Sequence, residues 1–130
     1  MKLALTALLV RDYDEAISFY CGALGFNLVE DSALGDGKRW VVISGDGGGA
    51  LLLAKARKAE ELAAVGNQFG GRVGLFAHVE DFARAQAKLV GAGAVFEEPL
   101  RREPYGTVAV FRDLYGNRWD LIEPRHADAS

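Results

Sequence analysis

Side chains able to move a proton near neutral pH are scarce in this chain, which holds only two histidines. His78 lies in an apolar stretch from Arg72 to Val79, and His126 lies in the polar tail. A neutral imidazole such as His78 serves as general base or hydrogen-bond donor. At the edge of a core it simply bonds a backbone carbonyl. Asp120 is the second candidate. Strand alternation puts Trp119 and Leu121 on one face and Arg118, Asp120 and Ile122 on the other. An acid beside an isoleucine either lines a polar cavity or is solvated. If Asp120 and His78 approach each other, the pair can orient a proton transfer; if Arg118 neutralises Asp120, its role is structural.

Other residues carry binding chemistry. The segment Arg101-Arg102-Glu103-Pro104-Tyr105-Gly106 reads as a loop, with Pro104 and Gly106 making a turn. Arg102 and Tyr105 there either clamp a carboxylate or carbonyl, which a guanidinium binds bidentately, or belong to a solvated turn. Trp40, in the corresponding place of the first half, is a core, dimer-interface or ligand-platform residue. Gln68 and Arg72 are weaker candidates of the same kind. The lone Cys21 has no partner for an internal disulfide, which fits a reducing cytoplasm. Gly45 to Gly49 lacks the lysine and following helix of a phosphate loop and reads as a hairpin turn.

The elements that must position these residues follow from pattern and punctuation. Leu3 to Val10 reads as a strand, Asp12 as an N-cap, and Tyr13 to Ala23 as a helix ended by Gly22 and Gly25. Strands follow at Phe26–Glu30, Arg39–Ile43 and Ala50–Ala54. Lys55 to Val65 is Ala-, Lys- and Glu-rich and reads as a helix stopped by Gly66, before a strand from Arg72 to Val79. Near the end, Thr107–Phe111 and a run through Trp119–Ile122 flank a polar corner. Gly116 and Asn117 tolerate positive φ there, so the two runs read as a hairpin, with Asp113, Gly116 and Asn117 as turn formers.

The chain also repeats itself. Val10-x-Asp12-Tyr13-x-x-Ala16 recurs as Val79-x-Asp81-Phe82-x-x-Ala85, Gly22-Ala23 recurs as Gly91-Ala92, and later strands correspond at the same offset of 68 or 69 residues. Each half is therefore β-α-β-β-β, which predicts an α+β fold of tandem modules rather than a doubly wound parallel sheet. We expect one domain over 1–130: module one at about 1–54, a linker helix and loop at about 55–71, module two at about 72–124 and a polar tail at 125–130.

A net charge of −3, spread evenly over both halves, gives no basic stripe, which argues against nucleic acid and anionic membrane as partners. The longest apolar run, Leu3 to Val10, is too short to span a bilayer, and no signal-peptide pattern starts the chain. Half of the residues are hydrophobic, enough for a sizeable core.

The stretches VRDYDEAISFYCGALGF and FRDLYGNRWDLIEP, inside two β-α-β-β-β modules, resemble the signatures of the vicinal oxygen chelate superfamily. That group includes glyoxalase I, extradiol dioxygenases, fosfomycin-modifying enzymes, methylmalonyl-CoA epimerase and bleomycin-binding proteins. GNQFGGRV, EPYGTVAVF and DLYGNRWDL place the chain nearest a bacterial glyoxalase-like branch. The resemblance implies curved mixed sheets around a cleft, usually completed in a homodimer. It also implies a divalent metal held at four positions, which by register are Leu5, Leu52, Gly74 and Asp120 here. Two leucines and a glycine cannot bind the ion, so no cofactor is expected. Leu5, Leu9, Leu52 and Phe76 would wall the cleft, and Gly74 would leave room for a bound molecule. Such a pocket suits a small organic ligand with an apolar body and a few polar groups.

Three functions follow as expectations. The first is a cytoplasmic, metal-free binder of a small molecule. The second is a glyoxalase-like lyase or isomerase using His78 and Asp120, or a displaced metal. The third is an interaction module with a vestigial cleft.

Overall fold

The structure is a computed structural model that describes residues 1–125; His126 and the rest of the tail lie outside the described residues. It forms an α+β fold in two compact units, Met1–Gln68 and the chain from Phe69 onward. No helix among the described residues is long and apolar enough to cross a membrane.

Module one runs β1 (Thr6–Val10), α1 (Tyr13–Ile17), a π-helical turn (Ser18–Ala23), β2 (Asn27–Gly35), β3 (Lys38–Ser44), β4 (Ala50–Lys55) and α2 (Ala59–Ala64). Its sheet has the order β1-β4-β3-β2, with β1 parallel to β4 and the other pairs antiparallel. Leu8, Leu53 and Val41 stand side by side across three strands and are fully buried. Asp12 caps α1 as expected, its Oδ2 accepting from Glu15 N at 2.8 Å. Beyond Ile17 the helix widens to five-residue spacing, with Leu24 N donating to Phe19 O. Gly25, at φ 73°, ends it; Gly22, expected to share that task, does not adopt positive φ.

The helix expected over Lys55–Val65 is shorter. Lys55 is the last residue of β4, opposite Val10, and Ala56 N donates to Val10 O at 2.9 Å. The parallel ladder thus claims residues that propensity alone assigns to the helix. Beyond it, the Gln68 side chain covers the free edge of β1: Oε1 accepts from Leu9 N at 2.7 Å and Nε2 donates to Ala7 O at 3.0 Å. An open strand edge invites pairing with another chain, and the amide closes it.

Module two runs β5 (Leu75–His78), α3 (Phe82–Gly91), β6 (Val95–Phe96), β7 (Arg101–Glu103), β8 (Gly106–Arg112) and β9 (Arg118–Pro124). The order β5-β9-β8-β6 repeats the connectivity of module one, and Asp81 caps α3 through Arg84 N at 3.1 Å. The rings of Phe82, Phe96, Phe111 and Trp119 form a ladder between α3 and the sheet, with successive centroids 6.4, 5.4 and 5.9 Å apart. Residues 101–106, expected to be a loop, include a strand: Arg101 pairs with Val108 and Arg102 with Thr107, leaving only Pro104 and Tyr105 as the turn.

The corner before β9 is held by one buried carboxylate. Asp113 Oδ1 accepts from the backbone N–H groups of Tyr115, Gly116 and Asn117 at 2.9, 3.1 and 3.0 Å. Its Oδ2 takes Trp119 Nε1 at 2.9 Å and Asn117 Nδ2 at 3.1 Å. Gly116 adopts φ 100°, whereas Asn117, also expected at positive φ, does not and is fixed by its side-chain bonds.

Candidate functional site

The β9 alternation sends Trp119 and Leu121 into the aromatic core and Arg118, Asp120 and Ile122 to the opposite face. Ladder partners project to the same side of a sheet. Phe76 is opposite Asp120, His78 and Val108 are opposite Ile122, and Val110 is opposite Asp120. Arg101, opposite Val108, joins them. This face has an apolar part, with Val108, Val110 and Ile122 buried and Phe76 59% exposed, and a charged part around Asp120.

Asp120 Oδ1 is buried and, among the described residues, has no hydrogen-bond partner. Burial pushes its carboxyl pKa up; Arg101 and Arg118 pull it down and Glu98 pushes it up further. Neither arginine closes on Asp120. Arg118 places Nε and Nη2 on Glu97, both at 2.9 Å, and Nη1 on Gly71 O at 3.1 Å. Arg101 Nε binds both Glu98 oxygens at 3.1 Å, and its Nη1 binds Glu103 at 3.1 Å. The remaining open acceptor suits an N–H or O–H group brought by a ligand, because a buried carboxylate oxygen without a donor is costly.

The sequence candidates divide between locations. His78 shares the face with Asp120 on the adjacent strand and is exposed, but among the described residues their side chains make no hydrogen bond. Arg102, paired with Thr107, projects to the opposite face, and Tyr105 is 53% exposed at the hairpin tip. A loop at 101–103 hides Arg101, which strand parity with Val108 reveals, and no spacing signal singles out Glu98. Gly74 does not stand over open space, since a Cβ there would run into the Phe69 ring.

In module one, Leu5 and Leu52 are half-buried, and Leu52 is opposite Ala7 on the face turned away from Leu8 and Leu53. Trp40 is 37% exposed beside Ser32. Arg72 donates Nε to Val73 O at 3.2 Å, and burial raises the Cys21 thiol pKa.

The donor set does not fit the divalent ion that the resemblance implies. Leu5 and Leu52 offer hydrocarbon, the Phe69 ring takes the place of a side chain at Gly74, and Asp120 alone offers a carboxylate. Among the described residues no three His, Cys, Asp or Glu side chains gather as a metal-holding group. One carboxylate leaves an ion almost wholly aqueous.

Residues 2–121 match the family described as Glyoxalase/Bleomycin resistance protein/Dioxygenase superfamily. An uncharacterized protein of Shewanella frigidimarina is 51% identical over 120 residues, covering 90% of this chain and 89% of that protein. The solved structure of UcmS2 matches with a TM-score of 0.75 and 29% identity, over 95% of this chain and 98% of that one. TnmS3, an antibiotic binding protein from Streptomyces sp. CB03234, matches with a TM-score of 0.71 and 26% identity, over 96% and 97% of the two chains. By sequence and by fold, this chain belongs to the glyoxalase/bleomycin resistance protein/dioxygenase superfamily.

Proposed function

We propose that the chain binds a small organic molecule on the Asp120 face of module two, without a divalent metal and without obligatory chemistry. The observation that carries this reading is the buried, donorless Oδ1 of Asp120 between arginines already held by other acids. The ligand supplies the missing donor, and its apolar body covers Phe76 and neighbouring aliphatic side chains. The description of TnmS3 as an antibiotic binding protein supports a binder on this fold. Metal analysis of the purified protein is expected to find no stoichiometric ion, and tightly bound Ni, Zn, Mn or Fe would overturn that part.

Thermal-shift screening against small aromatic amines, phenols and carboxylated aromatics tests the reading. A ligand at a hundred times its Kd stabilises the fold by about 2.7 kcal/mol, an easily read shift. The reading predicts hits that carry a donor group and lose their effect in D120N. A screen of this kind with no stabilising compound counts against it.

A second reading, a lyase or isomerase, is favoured by the common face and adjacent strands of His78 and Asp120. It predicts that a screen hit is converted to product and that H78Q abolishes conversion while leaving binding in place. We also propose a homodimer, for which light scattering at tens of micromolar, roughly assay concentration, gives the mass directly. A monomer there rejects it.

A further inference from the structure

Outside the Asp120 face, module two carries a groove of about 370 Å³ where β7, β8 and β9 end. Its wall includes Arg102, Thr107 and Arg125 and the two acids Glu103 and Glu123, with Gly106 at the floor. Arg102 pairs with Thr107 and Thr107 with Glu123, so guanidinium, hydroxyl and carboxylate stand in a row across three strands. That row projects to the face opposite Asp120, which makes the groove independent of the function proposed above.

The charges in this groove are unevenly committed. Glu103 Oε1 receives Arg101 Nη1 at 3.1 Å, and Glu123 Oε1 receives Phe82 N at the start of α3 at 2.8 Å. Both acids therefore have donors. The side chains of Arg102 and Arg125 have no hydrogen bond or ion pair among the described residues. Gly106 keeps the floor bare: at φ 150° a Cβ would collide with the Glu123 carbonyl, so only glycine lets β8 approach β9 this closely. Two uncommitted guanidiniums and a hydroxyl around a bare floor are the donor set that oxyanions select, since each planar fork matches two anion oxygens.

We propose that this groove is a second binding site, one that takes the carboxylate or phosphoryl group of a small molecule between Arg102 and Arg125, with the Thr107 hydroxyl as a further donor. Both guanidiniums are exposed, so binding is weakened by salt.

Amide NMR titrations of the whole chain with sodium phosphate and with sodium succinate, each against sodium chloride at matched ionic strength, read the site. Saturable shifts are expected at Gly106, Thr107 and Arg125, with affinity falling about tenfold in R102Q or R125Q and unchanged in R72Q. R102K, which keeps the charge but loses the fork, is expected to fall between wild type and R102Q. A response to phosphate alone assigns the site to phosphoryl groups, to succinate alone to carboxylates, and to both to oxyanions in general. Shifts no larger than chloride produces overturn the proposal. So does binding that survives the R102Q/R125Q pair, whose amide spectrum shows at once whether the variant is folded.

Discussion

Arg118 closes a two-pronged ion pair on Glu97, Nε to Oε2 and Nη2 to Oε1, each at 2.9 Å. Asp120 lies two residues further along the same strand face and receives none of those donors. The acid is therefore not the partner of its neighbouring arginine. Its Oδ1 is an acceptor shielded from water on a half-buried side chain, in the electrostatic reach of cations that are held elsewhere.

Asp120 should destabilise the empty fold at neutral pH. Burial raises its folded-state pKa above the ordinary 3.8, so protonation favours the folded chain. That contribution is full below the unfolded pKa and is lost as pH rises through the folded one. D120N should therefore melt above wild type at pH 7, with the gap closing towards pH 3.5. Melting curves across that range check this, and a D120N variant less stable at pH 7 would mean that Asp120 has a donor after all.

Glu97 acts on the site through Arg118. Hydrogen bonds from Arg118 and then Arg112 hold its carboxyl below the usual glutamate range, so its stabilising effect is present at neutral pH and fades as pH falls through that lowered value. E97Q releases the Arg118 guanidinium towards Asp120. Ligand affinity should drop severalfold in E97Q while the melting temperature changes little, as for a surface pair. Calorimetric titration with a screen hit measures the first and a melting scan the second.

Gly74 and Phe69 are coupled by shape. G74A forces a methyl group into the Phe69 ring, an overpacking that costs about 1–3 kcal/mol. F69A/G74A should be more stable than the sum of the single changes allows, by at least about 0.5 kcal/mol. Urea unfolding of the four proteins gives the coupling, and strict additivity would show that the ring does not sit on Gly74.

Asp113 is the structural acid of the chain. D113A removes the carboxylate that accepts from the Tyr115 and Asn117 backbone N–H groups, the Asn117 amide and the Trp119 indole in one step, while Gly116 N keeps its bond to the Asp113 carbonyl at 3.0 Å. A loss of about 3 kcal/mol or more is expected in denaturant unfolding, from several buried donors left unsatisfied at once. A loss below 1 kcal/mol, roughly that of one ordinary hydrogen bond, would contradict the arrangement.

The duplicated architecture was legible because it rests on local signals repeated in register: the capping aspartates Asp12 and Asp81, and the apolar strands that follow the same order in each half. The β9 alternation likewise places Asp120 on the face opposite Trp119 and Leu121 from sequence alone. What the sequence hid depends on pairing between distant residues. Arg101–Glu103 carries no apolar alternation and becomes a strand only because β8 offers it a ladder. Lys55 leaves its helix because Val10 claims it for β4. The filling of the Gly74 space by Phe69, and the diversion of Arg118 to Glu97, are tertiary facts that spacing along the chain does not encode.

The most direct measurement is the affinity of the strongest donor-bearing screen hit for wild type, D120N and D120A, by calorimetry at pH 7. A hydrogen bond to a charged acceptor contributes about 1.5–3 kcal/mol, so Kd should rise roughly tenfold to a hundredfold in both variants, with the folds intact. A Kd within about twofold of wild type in both variants, well under 1 kcal/mol, would show that the ligand does not engage Asp120.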